Sequence, residues 1–182
     1  MRPATLHRTV ETRRFVLRPH GVADFHYVRA MWADPVVVRH IYDRPQTDAE
    51  SWFRLLRYRG HCALLGFGYW AVIDRDDQSY LGEVGFADYR REIDPPFDGM
   101  PEAGWVMTAR AHGRGLALEA MEAALDWFDT NNDASRTVAM ISAENAGSVR
   151  LAKALGYEMT RTGVYNGKDR LIFERLRRRK LT

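Results

Sequence analysis

A strand, a glycine turn, an amphipathic helix and a second strand follow one another between residues 102 and 142, and no other feature limits the fold of this chain as much. EAGWVMT (102–108) is a short apolar run of strand character. RAHGRGLA (110–117) sets two glycines among arginines. Behind it Ala117, Ala120, Met121, Ala124, Leu125 and Phe128 recur at three- and four-residue spacing, an apolar face of about four turns. RTVAMIS (136–142) is β-branched and apolar, suited to a buried strand. Two strands joined through such a helix lie parallel, by a right-handed crossover.

The flanking segments supply antiparallel partners. RFVLR (14–18) alternates as a half-buried strand and ends at Pro19. A helix is expected from Asp24 to Trp32, with Asp24 as N-cap and Pro35 barring continuation. Thr47 and Glu50 have capping-box spacing ahead of Trp52, Phe53, Leu55 and Leu56. GYWAVID (68–74) and SYLGEVGFADY (79–89) predict a hairpin, and residues 91–101 read as a loop. A helix opens at Asn145 and closes before Gly156, and two final strands, 157–165 and 168–176, turn at Asn166-Gly167. The expectation is one domain over residues 1–182. Its α/β (α+β) fold would be a mixed, mainly antiparallel seven-stranded sheet with helices on both faces.

Length, charge and cysteine content narrow the classes of function. With 182 residues the chain can bury a full core without staples, and Cys62, its one cysteine, cannot form an internal disulfide. No apolar run spans a bilayer, and MRPATLHRTVETRR lacks the apolar core of a secretory signal, so a cytoplasmic location is expected. The net charge of +3 comes largely from a basic tail at 175–182. No aromatic interleaving or reader motif accompanies that tail, so nucleic acid is not expected as a partner.

The glycine turn has two readings. Unsatisfied N–H groups at a helix start bind phosphate oxygens, and glycine lets a ligand approach the backbone. The same residues also suit a tight turn that holds nothing. A P-loop is excluded, because Leu116 and Ala117 follow Gly115 where Lys and Ser or Thr are needed. A Rossmann fingerprint is excluded by Leu118 in place of its third glycine. Thirty residues further on, AENAGS (143–148) again follows a strand and opens a helix, where Asn145 or Ser148 would serve as a cap.

The combination EAGWVM at 102–107, R-x-x-G-x-G-x-A at 110–117, and E-N-x-x-S with a closing L-G-Y at 144–157 resembles the GNAT superfamily of acetyl-CoA-dependent N-acetyltransferases. ETRRFVLRP (11–19), WADP (32–35) and FGYWAVID (67–74) resemble its branch of ribosomal-protein alanine N-acetyltransferases. The resemblance implies a V-shaped opening between the strands at 102–108 and 136–142 that takes the pantetheine arm. Val106 and Met107 would bond that arm through their backbones. The pyrophosphate would rest at Arg110, His112, Gly113, Arg114, Gly115, Leu116 and Ala117. Asn145 would reach the arm and Ser148 the thioester sulfur. Acetyl-CoA is the implied co-substrate and an amine the acceptor, with no metal. A homodimer and a non-catalytic acyl-CoA-binding module stay open.

Transfer to an amine needs a neutral nitrogen, yet α-amino groups titrate near 8 and lysine near 10.4, so a base must accept a proton. Glu102 is the first candidate and Glu83 the alternative. Many relatives use a tyrosine as acid shortly after the asparagine. Leu151 and Ala152 stand there, and the resemblance to that branch implies Ser148 as the group that protonates the leaving sulfur. The stretch from Asp88 to Glu102 holds five acids and two arginines, a local charge of −3. It reads either as an attractor of cationic amines or as a charged surface loop. Tyr42, Trp52 and Trp70 are candidate linings of the acceptor pocket, and candidate acceptors are a protein N-terminus, a polyamine or amino acid, and an aminoglycoside-like drug.

Overall fold

The computed structural model describes residues 9–42, 44–97 and 99–178. The described residues form one eight-stranded sheet: β1 (Val10–Glu11), β2 (Phe15–Pro19), β3 (Tyr69–Asp74), β4 (Tyr80–Ala87), β5 (Glu102–Met107), β6 (Arg136–Ile141), β7 (Glu158–Tyr165) and β8 (Lys168–Leu176). Their order is β1-β2-β3-β4-β5-β6-β8-β7, antiparallel everywhere except between β5 and β6. The crossover predicted over 102–142 is that parallel pair. The eighth strand, absent from the expectation, is β1. It aligns Val10 with Leu17 and Glu11 with Val16, and two residues are too few to show a period of two.

Among the described residues five α-helices cover the sheet: α1 (Phe25–Trp32), α2 (Pro35–Val38), α3 (Asp48–Leu65), α4 (Leu116–Asn131) and α5 (Ala146–Ala154). Pro35, expected only to end a helix, also starts one. Its missing N–H is no loss at a first helical position, and Asp34 Oδ1 caps the turn by accepting from Val36 N at 2.8 Å. The Thr47–Glu50 capping box is present in both directions at the start of α3. Asn166 and Gly167 adopt φ of 50° and 70°, as a type I′ turn requires.

Core residues alternate along β3. Trp70 and Val72 pack with α4 and α5, including Met121, Phe128 and Ala152, on one face. Ala71 and Ile73 pack with Val28, Trp32 and Leu55 of α1 and α3 on the other. Both faces are covered, so β3 and β4 read as continuous apolar runs.

Two expected surface segments are anchored. In the loop before β5, Ile93 and Phe97 are buried against Val138 and Ile172, and Arg161 donates to the carbonyls of Pro95 and Pro96 at 2.8 and 3.0 Å. The basic tail is not solvated where it begins. Arg175 lies within β8, is 4% exposed, and makes a bidentate ion pair with Asp129 at 2.7 and 3.1 Å. Arg177 Nε donates to the Asp129 carbonyl at 2.9 Å. The packing of β8 under the end of α4 supplies the acceptors. Arg179 and Lys180 lie outside the described residues. Among the described residues no helix is long and apolar enough to cross a membrane.

Candidate active site

β5 and β6 meet at one registered pair, Glu102 opposite Val138, with Val138 N–H donating to the Pro101 carbonyl at 3.0 Å. Beyond it the strands part, and Gly104, Trp105, Val106, Ala139, Met140 and Ile141 border a cleft of about 560 Å³. Asn145 and Ser148 reach the same cleft from α5, and Trp32, Tyr42, Arg54, Tyr58 and Tyr69 line its other end.

Backbone direction decides which groups face the opening. Thr108 N–H donates to Leu81 O at 2.9 Å, which makes Val106–Glu83 a hydrogen-bonded pair with β4, two residues along the antiparallel ladder. Val106 therefore directs its N–H and C=O toward β4, and the backbone groups of Trp105 and Met107 face the open edge. Adjacent residues cannot present their peptide groups to the same edge, so the expected backbone contacts of Val106 and Met107 differ in kind. His112 Nε2 lies 3.0 Å from the Met107 carbonyl, which can only accept, so Nε2 carries the proton and the Met107 N–H is what remains.

A single 3-10 turn, Ala109–Ala111, separates β5 from the glycines. It aims Arg110 back at the sheet, where its guanidinium donates to the Tyr80 carbonyl at 3.1 Å. Gly113 and Gly115 have φ of 71° and 70°, the left-handed region. A Cβ built on either meets nothing within 4 Å, so conformation rather than crowding demands glycine. Gly115 is the N-cap of α4 and no side chain caps that end. The amides of Leu116 and Ala117 have no intrahelical acceptor, while the Leu116 side chain is buried in the core.

Arg14, the first residue of the RFVLR run, braces this turn from the approach to β2. It pairs with Glu119 at 2.5 Å and donates to the carbonyls of Arg114 and Gly115 at 3.3 and 3.4 Å. With those carbonyls held, the opposing N–H groups are free to meet an anion. Arg114 and His112 are themselves exposed.

Asn145 divides its amide between two tasks. Oδ1 accepts from Ser148 N at 3.1 Å as the N-cap of α5, which leaves Nδ2 to donate. Ser148 Oγ accepts from the indole Nε1 of Trp105 at 3.2 Å. Trp105 was not singled out, because a tryptophan in an apolar strand reads as core.

The two candidate carboxylates differ. Glu102 lines the cleft, but both its oxygens already accept from Arg91, at 2.6 and 2.9 Å, and Arg91 also donates to Tyr165 Oη at 2.9 Å. Glu83 is fully buried. Tyr58 Oη donates to its Oε1, as does Trp32 Nε1 at 3.1 Å, and Tyr80 Oη sits 3.2 Å from its Oε2. Burial and then the Glu83 charge hold the Tyr58 hydroxyl far above the ordinary phenol range. His20 Nε2 lies 3.2 Å from Tyr80 Oη, and burial lowers its pKa below the usual histidine value.

Of the expected aromatic linings only Tyr42 lies in the cleft. Trp52 packs edge-on against Phe25 in the α1–α3 core, and Trp70 is buried against Trp127. Two of the acids in the stretch from Asp88 to Glu102 pair with its own arginines, Asp88 with Arg90 and Glu102 with Arg91. Burial pushes the Cys62 thiol up to about 11, which leaves no nucleophilic thiolate at neutral pH. Among the described residues no group of three or more His, Cys, Asp or Glu is placed to hold a metal ion.

Known proteins share this fold. A solved structure assigned to the GnaT acetyltransferase family, from Bordetella pertussis, is 33% identical with a TM-score of 0.81, over 93% of this chain and 99% of that one. The uncharacterised N-acetyltransferase p20 of Bacillus licheniformis is 24% identical over 82% of each chain. Ribosomal-protein-S5-alanine acetyltransferase of Vibrio fischeri shares the fold, with a TM-score of 0.70 at 19% identity over 93% and 96% of the two chains. Residues 14–158 match the family described as Acetyltransferase (GNAT) domain, and the chain belongs to that family.

Proposed function

We propose that the protein moves an acetyl group from acetyl-CoA to a primary amine by direct attack in a ternary complex. The observation that carries this reading is the parting of β5 from β6 after one registered pair. The opening runs into a cleft that has room for a second molecule, and the chain leads from the end of β5 through one turn to the uncapped start of α4.

The residues present fit acetyl-CoA. The N–H groups at Gly113 to Ala117 and the start of α4 suit a pyrophosphate, and the space around both glycines lets it approach. The open-edge groups of Trp105 and Met107, with Asn145 Nδ2, suit the amides of the pantetheine arm. The bound co-substrate supplies an activated acyl thioester. Ser148 Oγ, oriented by the Trp105 indole, donates its proton toward the departing sulfur. The amine nitrogen loses its proton to the protein. Tyr58, on the cleft floor and bonded to Glu83, is placed to pass that proton inward. Glu102 keeps Arg91 in place, and would itself act as base if Arg91 released it.

Release of the CoA thiol from acetyl-CoA across a panel of amines and N-terminal peptides tests the reading. Turnover with at least one amine is expected. Acetyl-CoA binding by calorimetry with no release would instead favour the acyl-CoA-binding module. For the base, Glu83→Gln is expected to lower kcat by about a hundredfold with acetyl-CoA affinity retained, and Tyr58→Phe to follow it. Unchanged turnover in Glu83→Gln with loss in Glu102→Gln would return the role to Glu102.

A further inference from the structure

Helix α3 turns Arg54, Arg57, Tyr58 and His61 to the acceptor end of the cleft, at three- and four-residue spacing along one face. Arg54 is 6% exposed. Its guanidinium stacks 3.5 Å over the Trp32 ring, one terminal nitrogen donates to Tyr42 Oη at 2.8 Å, and the other lies 3.5 Å from Tyr58 Oη. Its Nε–H has no acceptor, and among the described residues no carboxylate pairs with it. Of five N–H donors, three are left without a partner. A buried arginine in this state carries a desolvation cost that two phenol oxygens offset only in part. Glu83 lies behind Tyr58 and its oxygens are already occupied by Tyr58, Trp32 and Tyr80, so its charge balances Arg54 only at a distance.

The neighbouring charges point the same way. Arg91 is neutralised by Glu102 and Arg90 by Asp88. The charges left on the cleft lining are Arg54, Arg57 and Arg170 against Glu92. Arg57 is exposed, its guanidinium 4.8 Å from the Tyr89 ring centroid. His40, lining the same cleft, has Nδ1 buried without a partner. A polyamine entering here would meet cations of its own sign, whereas a planar carboxylate matches the guanidinium fork.

We propose that Arg54 and Arg57 form an anion subsite, so that the acceptor is a primary amine carrying a carboxylate on the same molecule. This deepens the acetyl-transfer reading and rests on it. Arg54 holds the carboxylate from the cleft wall and Arg57 closes over it from the rim, which leaves the amine between that anchor and Ser148.

Thiol-release kinetics with glycylglycine against glycylglycinamide test it, because the two share one amine and differ in charge at the other end. Phosphoethanolamine and spermidine form the remaining arms. The free acid is expected to exceed its amide in kcat/KM by roughly tenfold to a hundredfold, the value of one or two charge-assisted hydrogen bonds. Arg57→Ala is expected to reduce that ratio several-fold and Arg54→Gln to bring it near one, with acetyl-CoA affinity measured in parallel to show an intact fold. Arg57 is exposed, so its variant keeps the test decisive if Arg54→Gln does not fold. Preference for phosphoethanolamine would overturn the carboxylate assignment. Equal rates on acid and amide, or preference for spermidine, would overturn the subsite and leave acetyl transfer standing. No release with any amine would remove both.

Discussion

The indole Nε1 of Trp105 donates to Ser148 Oγ at 3.2 Å, a hydrogen bond that joins β5 to α5 across the opening between the parted strands. A serine hydroxyl has one proton and two lone pairs. With a lone pair taken by the indole, the proton is left to point elsewhere, and the adjoining space is the cleft. The bond thus converts a residue that would pass for a helix-start serine into an oriented donor.

Ser148→Ala is expected to lower kcat by about a hundredfold, the lower range for a lost general acid, with little change in acetyl-CoA affinity. Trp105→Phe keeps the ring and removes the donor, and should cost several-fold in kcat. Stopped thiol-release assays and calorimetry separate the two effects. Unchanged kcat in Ser148→Ala would remove the serine from the chemistry.

At the glycine turn the expected cost is conformational. Gly115→Ala meets open space but must hold φ near 70°, so it should destabilise the protein by about 1 kcal/mol. It should also place a methyl group where a pyrophosphate would approach. Thermal unfolding with and without CoA reads both: a lower midpoint in the free protein and a smaller rise on adding CoA. An unshifted midpoint would contradict the strain argument.

His20 sets a pH dependence. Burial lowers its folded-state pKa below the ordinary 6.5, so the native protein refuses a proton that the unfolded chain accepts. Its stability contribution is complete above about pH 6.5 and falls as the pH drops below it, by at most about 1.4 kcal/mol per pH unit. Urea midpoints at stepped pH should show this slope, and His20→Gln should flatten it. An identical slope in the variant would assign the effect to other groups.

Asp129 carries a large expected loss of stability. Asp129→Ala leaves Arg175, 4% exposed and already with Nε unpartnered, as a buried charge without its carboxylate. Removing one member of such a pair costs about 3–5 kcal/mol. Chemical denaturation of Asp129→Ala checks it, and a loss below 1 kcal/mol, that of an exposed pair, would show that water reaches Arg175.

Local chemistry made much of this protein readable from its residues. Thr47 and Glu50 marked the start of α3, Asn166-Gly167 the last hairpin, and the glycines before Leu116 the start of α4, because capping, positive φ and apolar periodicity act over four or five residues and need no knowledge of the partner. What stayed hidden depends on long-range placement. Arg14 meets Glu119 and the glycine turn about a hundred residues away in sequence. Arg175 looks like the start of a basic tail until Asp129 is set against it. Composition shows the excess of acids between Asp88 and Glu102, but only the fold shows that Asp88 pairs with Arg90 and Glu102 with Arg91. Which charges remain unpaired at the acceptor end is a property of distances, and only the packed sheet and α3 set those.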